Sequence, residues 1–134
     1  MENLSTVVAG ATVQEDLLIT GMPPVNLLLT GGHGVVRNIL GALLRDFAGP
    51  IAAWYPGERL VLPRDQRPGA IILREIGLMG YEDQLQLLEW LETRVGRTQI
   101  VSTTSEPLLP QVEAGVFNDT LYYRLNTVSV DLNV

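Results

Sequence analysis

An apolar run, a glycine-rich turn and a helical pattern follow one another in residues 27–40, LLLTGGHGVVRNIL. That is the outline of a phosphate-binding loop. In such a loop backbone N–H groups cradle the anion, and a lysine after the last glycine reaches the β and γ phosphates. Gly31, Gly32, His33, Gly34, Val35, Val36, Arg37 and Asn38 are therefore the candidate cofactor-contacting residues. The chemistry is incomplete, because Val36 and Arg37 stand where the glycine and the lysine belong. All nine basic residues are arginines, at 37, 45, 59, 64, 67, 74, 94, 97 and 124, so no lysine elsewhere in the chain can supply the contact.

Composition narrows the remaining chemistry. There is no cysteine, which excludes disulfides, thiol catalysis and thiolate metal sites. A lone His33 cannot build a histidine-rich metal centre. The net charge of −6 disfavours broad contact with nucleic acid, whose phosphates would be repelled, so direct DNA binding is not expected. The first residues, MENLSTVVAGATVQEDLLIT, lack a basic start followed by an apolar stretch and do not read as a secretory signal. No apolar run approaches the roughly 18 residues of a membrane helix. The expectation is one domain in 134 residues, cytoplasmic, with a hydrophobic fraction of 46% that suffices for a core.

The elements that must position the loop alternate between strand and helix patterns. Residues 25–30 read as a buried strand ending in Gly-Gly, and 35–47 as a helix with Ile39, Leu40, Leu43, Leu44 and Phe47 on one side, stopped by Gly49-Pro50. Residues 51–55 read as a second strand, 56–69 as a loop rich in proline, glycine and charge, and 70–76 as a strong strand. Residues 82–94 read as an amphipathic helix through Leu85, Leu88 and Leu91, with acids in its first turn and Arg94 near its end, as the helix dipole favours. A β-branched strand over 98–104, short helices in LLPQVEA and DTLYYRL, and a closing strand in TVSVDLNV complete the pattern. Such alternation predicts an α/β fold in three layers, a mostly parallel sheet covered on both faces. Residues 1–24 are ambiguous between a small helix and a lead-in strand. Trp54, Tyr55 and Trp90 fall at strand and helix spacing and read as core or sheet edge rather than a ligand platform.

From Asn26 onward, about four-fifths of the chain, several blocks in order resemble the AAA+ domain of sigma-54-dependent transcriptional activators, the enhancer-binding proteins. LLLTGGHGVVRNIL resembles their phosphate loop, GAIILREIG their Walker B strand and DQLQLLEWLE the helix behind it. The most specific block is EAGVFNDTLYYRLNT, which keeps nearly all of a family signature around the arginine-bearing helix. The resemblance implies a P-loop NTPase-like (AAA+) domain over 25–134. It implies a sheet of about five strands, in which the last strand lies beside the first, followed by the sensor strand, the Walker B strand and IAAWY at the edge. The family's helical lid is not expected, since the matching stretch stops at VDLNV.

Compared position by position, the resemblance also implies lost chemistry. The family loop reads T-G-E-x-G-x-G-K-E, against Thr30 through Asn38 here, and keeps Gly31 and Gly34. The Walker B Asp-Glu becomes Arg74-Glu75, placing a cation where a carboxylate would help hold Mg²⁺ and leaving Glu75 to pair with an arginine. The sensor Thr-Asn becomes Thr104-Ser105. Of two arginines near the subunit boundary, the first is replaced by Asn118 and the second is kept as Arg124. These two are the candidate partner-contact residues, although Arg124 is expected to pack locally with Tyr122, Tyr123 and an acid. Only PGERLVLPRDQRP spans the region where the activators carry the loop that touches sigma-54. No catalytic residue and no metal site is therefore assigned. The residues at 31–38 and Glu75 form a vestigial nucleotide site, with weak ATP binding as the remaining cofactor possibility.

Three functions fit this reading. The favoured one is a catalytically silent AAA+ relative that acts by protein contact on an activator or other regulator, as a monomer or small oligomer. The second is a sensor that binds nucleotide without hydrolysis, and the third an ATPase using Arg37 unconventionally.

Overall fold

A computed structural model describes residues 26–45, 50–63, 69–93 and 98–132. Expectations for residues 1–24, Phe47 and Arg94 lie outside the described residues. The elements in chain order are β1 (Leu27–Thr30), α1 (His33–Leu44), β2 (Ile51–Trp54), β3 (Ala70–Leu73), a 3₁₀ turn (Ile76–Leu78), α2 (Tyr81–Thr93), β4 (Gln99–Thr104), α3 (Leu109–Glu113), α4 (Asp119–Leu125) and β5 (Val128–Asp131). The five strands form one sheet in the order β2-β3-β4-β1-β5 with every pairing parallel. This is the order that the resemblance implies.

Strand alternation divides the core in two. Leu27, Leu29, Ala70, Ile72, Val101 and Val130 face α1 and meet its Val36, Ile39, Leu40 and Leu43. Leu28, Ile71, Leu73 and Ile100 face the other way, against Leu87 and Leu91 of α2 and Leu121 and Leu125 of α4. Both faces are thus covered, and β1 and β3 read as apolar runs because both sides of these inner strands are buried. Each fully buried aliphatic side chain contributes about 2 kcal/mol.

Between β2 and β3 the chain makes no helix in its described part. Tyr55, Pro56, Gly57 and Glu58 form a tight turn closed by Glu58 N–H donating to the Tyr55 carbonyl (3.0 Å), with Gly57 at φ 91°. Only glycine takes that positive φ without strain, and proline before it presets the turn. The following strap buries Leu60 against the sheet, and Trp90 Nε1 of α2 donates to the Pro63 carbonyl (2.7 Å). Trp54 is buried and Trp90 half-buried, as their spacing predicts, whereas Tyr55 is 48% exposed.

Two boundaries and one buried face differ from expectation in ways that bear on the site. Helix α1 begins at His33 rather than Val35, which brings Val36 into its buried face. Strand β3 ends at Leu73 rather than Ile76, because Glu75 takes a left-handed conformation (φ 47°, ψ 58°) that breaks the strand. In α2 the buried positions are Gln84, Leu87 and Leu91, and Leu85 is exposed.

Candidate functional site

In a parallel α/β sheet, ligands sit in the crevice beyond the carboxyl ends of the strands. Here that crevice is bounded by the turn after β1, by Arg74 and Glu75 after β3, and by Ser105 after β4. The turn after β1 is the decisive piece. The motif runs strand, glycine-to-lysine loop, helix. In this chain only Gly31 and Gly32 separate Thr30 from the first helical residue, His33. Gly34, Val35, Val36, Arg37 and Asn38 are the next turn and a half of α1 rather than a loop. Val36 is buried at 3% exposure, and Arg37 and Asn38 face solvent. These residues do not fit a phosphate cradle of the motif's length.

The sequence alignment without a gap set Arg37 in the lysine's position. The geometry corrects this: the residue at the helix start is His33, and Arg37 lies about 6 Å further along the helix axis. Gly31 has a packing role. Its N–H donates to the Thr104 carbonyl (3.0 Å), and a Cβ added there would lie 2.8 Å from the Leu132 Cβ. Gly32 is the N-cap of α1 and supplies no side-chain hydrogen bond.

Glu75 has both carboxylate oxygens engaged. Oε1 accepts from Ser105 N–H (3.1 Å) and Ser105 Oγ (3.0 Å), and Oε2 lies 3.6 Å from His33 Nδ1. Its own N–H donates to Thr103 Oγ1 (3.1 Å). Its partners are therefore a serine and the lone histidine, not the arginine expected from sequence. The left-handed backbone at Glu75 costs on the order of 1 kcal/mol or more for a side chain with a Cβ. The three hydrogen bonds and the His33 contact offset it. Arg74 turns the other way: its guanidinium carbon sits 5.8 Å from the centre of the Tyr55 ring, while its backbone N–H donates to the Trp54 carbonyl (3.0 Å). The cation that the resemblance sets against the family's metal-holding carboxylate is thus directed to the sheet edge at β2. Among the described residues no group of three or more histidines and acids could hold a metal ion.

The family model described as the sigma-54 interaction domain matches residues 15–133. The chain belongs to the sigma-54 interaction domain family. Curated relatives include the probable pathogenicity regulator WtsA of Pantoea stewartii subsp. stewartii, 39% identical over 48% of this chain and 23% of its own length. They include the HTH-type regulator TyrR of Citrobacter braakii, 33% identical over 48% of this chain and 15% of its own length. The DNA-binding transcriptional regulator NtrC of Rhizobium meliloti is 27% identical over 81% of this chain and 30% of its own length. This sigma-54 interaction domain therefore spans less than a third of each of those relatives. Among solved structures, NtrX from Brucella abortus in complex with ADP superposes with TM-score 0.63 at 20% identity, over 92% of this chain and 35% of that one. A RuvB variant from Thermotoga maritima gives 0.57 at 15% identity, over 92% and 42%. At such identities the likeness shows the AAA+ fold alone.

The two partner-contact candidates of this sigma-54 interaction domain have local roles. Asn118 is the N-cap of α4, its Oδ1 accepting from Leu121 N–H (2.9 Å). Arg124 bonds Glu92 of α2 (3.2 Å), the acid anticipated for it. Sequence reasoning missed Gln84. It is 1% exposed; its Nε2 donates to the carbonyls of Met79 (2.9 Å) and Val116 (3.2 Å), and its Oε1 accepts from Asn118 N–H (2.7 Å). A glutamine among leucines on a helix resembles any solvent-facing polar residue, so no local signal marks it.

Proposed function

We propose that this sigma-54 activator-like domain of a transcriptional regulator lacks ATPase chemistry and works through contact with another protein. The observation that carries this reading is the replacement of the phosphate loop by the first turns of α1, beginning at His33 after a two-residue turn. The engagement of Glu75 by Ser105 and His33, and the diversion of Arg74 onto Tyr55, support it, because metal and water activation would each need a group that is already committed. Loss of cradle, metal ligand and lysine together leaves little transition-state stabilisation. The chain works in the cytoplasm, as a monomer or small oligomer, without touching DNA directly. The short strap between β2 and β3 argues against engaging sigma-54 through the family's usual loop.

A second reading, nucleotide binding without hydrolysis, is favoured by one feature. Helix α1 has twelve residues, a glycine N-cap and no acidic residue in its first turn, so its N-terminal dipole is open to an anion. Calorimetric titration with Mg-ATP separates the two, and a steady-state phosphate-release assay tests turnover. The expected results are no saturable heat and a release rate equal to buffer. Saturable heat without release would establish the sensor, and release above buffer would overturn both.

A further inference from the structure

Four large apolar side chains lie exposed around the first turn of α2 and the corner beside it. Leu78 is 69% exposed, Tyr81 47%, Leu85 45% and Val116 58%. Tyr81 and Leu85 are one helical turn apart on α2, and so share a face. Gln84 binds this helix to the 116–118 corner by two hydrogen bonds and to the Met79 carbonyl by a third, and Asn118 Nδ2 donates to the Tyr81 hydroxyl (3.3 Å). Asn118 in turn caps α4. These apolar side chains therefore project from backbone that is already fixed, so little ordering entropy remains to be lost on binding. Tyrosine is among the residue types enriched at the energetic centres of interfaces.

The chain segments that build the platform, residues 76–88 and 109–120, carry four acidic side chains and no basic one. Glu82 follows Tyr81 directly, and Glu113 and Asp119 flank the Val116 corner along the chain. The described arginines other than Arg124 lie on other elements: Arg37 and Arg45 on and just after α1, Arg59 on the strap and Arg74 after β3. Among the described residues the edge strands of the sheet are β2 and β5, and none of Leu78, Tyr81, Leu85 and Val116 belongs to them. A partner here must bind by side chains rather than by extending the sheet.

We propose that this platform receives a basic amphipathic helix of another protein, whose apolar side chains cover Leu78, Tyr81, Leu85 and Val116 and whose arginines or lysines meet the surrounding acids. The inference rests on the protein-contact reading above and gives it a surface and a partner chemistry. Apolar anchors supply the affinity, and complementary charge supplies register and rate.

The probe is a synthetic helical peptide with leucines on one face and arginines on the other, titrated into the isotope-labelled full chain and followed by amide chemical shifts. Shifts are expected at residues 78–85 and 115–119, with weaker binding as salt rises. Tyr81→Ser and Leu85→Ser are each expected to weaken binding about tenfold, and Glu82→Arg to weaken it without altering the fold. All three positions are exposed, and thermal melts confirm the fold of each variant. Absence of binding, equal binding of a peptide with glutamates in place of arginines, shifts confined to α1, or unchanged affinity in both serine variants would each overturn the proposal. So would a concentration-dependent dimer in sedimentation that Leu85→Ser dissolves, which would make the occupant a second copy. The Mg-ATP titration and the phosphate-release assay read the His33–Glu75 crevice instead, so release above buffer with peptide binding intact would sink catalytic silence and leave the platform standing.

Discussion

Writing the missing motif back into the sequence should fail to restore it. The double variant Val36→Gly, Arg37→Lys recreates the Gly-Lys pair of a phosphate loop on paper. In the structure both positions are helical, and Val36 is 3% exposed against the α1 face of the sheet. Removing its three side-chain carbons forfeits about 2.4 kcal/mol at about 0.8 kcal/mol per buried carbon. Glycine in place of valine inside a helix adds about 0.5 kcal/mol. Arg37→Lys is exposed and contributes about zero. The total is about 3 kcal/mol of a stability of order 5–15 kcal/mol. At an m-value of about 1.5 kcal/mol/M this lowers the urea midpoint by about 2 M. Urea unfolding by circular dichroism reads the stability, and calorimetry with Mg-ATP on the same sample reads the binding. A double variant that kept its midpoint and gained saturable ATP heat would refute the argument, for it would mean that residues 33–38 form a loop.

Other substitutions test the neighbouring contacts. Gly31→Ala forces a Cβ to within 2.8 Å of the Leu132 Cβ and should cost about 1–3 kcal/mol in urea unfolding. Gln84→Leu keeps the volume but strips three hydrogen bonds from a buried site, and should cost about 3 kcal/mol with loss of the Tyr81 and Asn118 amide positions in the spectrum. Asn118→Ala removes the α4 cap and should lower stability by about 1 kcal/mol in thermal or urea melts, without any change in phosphate release.

The sheet was legible in the sequence because β1 and β3 are apolar runs and β4 is rich in β-branched residues, and the family resemblance set the strand order. The start of α1 was not. Gly31, Gly32 and Gly34 look the same in a cradle as in a tight turn followed by a helix, and only the burial of Val36 separates the two. In α2 the series Leu85, Leu88, Leu91 drew the expected buried face. The structure rotates it to Gln84, Leu87 and Leu91, since Gln84 satisfies backbone groups that a leucine would strand. The pairing of Glu75 with Ser105 joins residues 30 apart, and that with His33 spans more. Neither leaves a local mark: parallel strands bring their carboxyl ends together, and side chains meet there regardless of separation.

Among the described residues the two faces of the sheet are unequally guarded. Among the described residues α1 alone covers the face lined by Leu27, Leu29, Ala70, Ile72, Val101 and Val130. That helix has no side-chain cap, no acid in its first turn and no base in its last, and it carries Gly34 and Gly41. It is held by what it buries rather than by its own propensity. Its amides should exchange with deuterium earliest among the helices of eight or more residues, and as one block. Each such opening bares a broad greasy sheet to whatever is nearby, so a quality-control protease or a chaperone would meet this molecule first at α1.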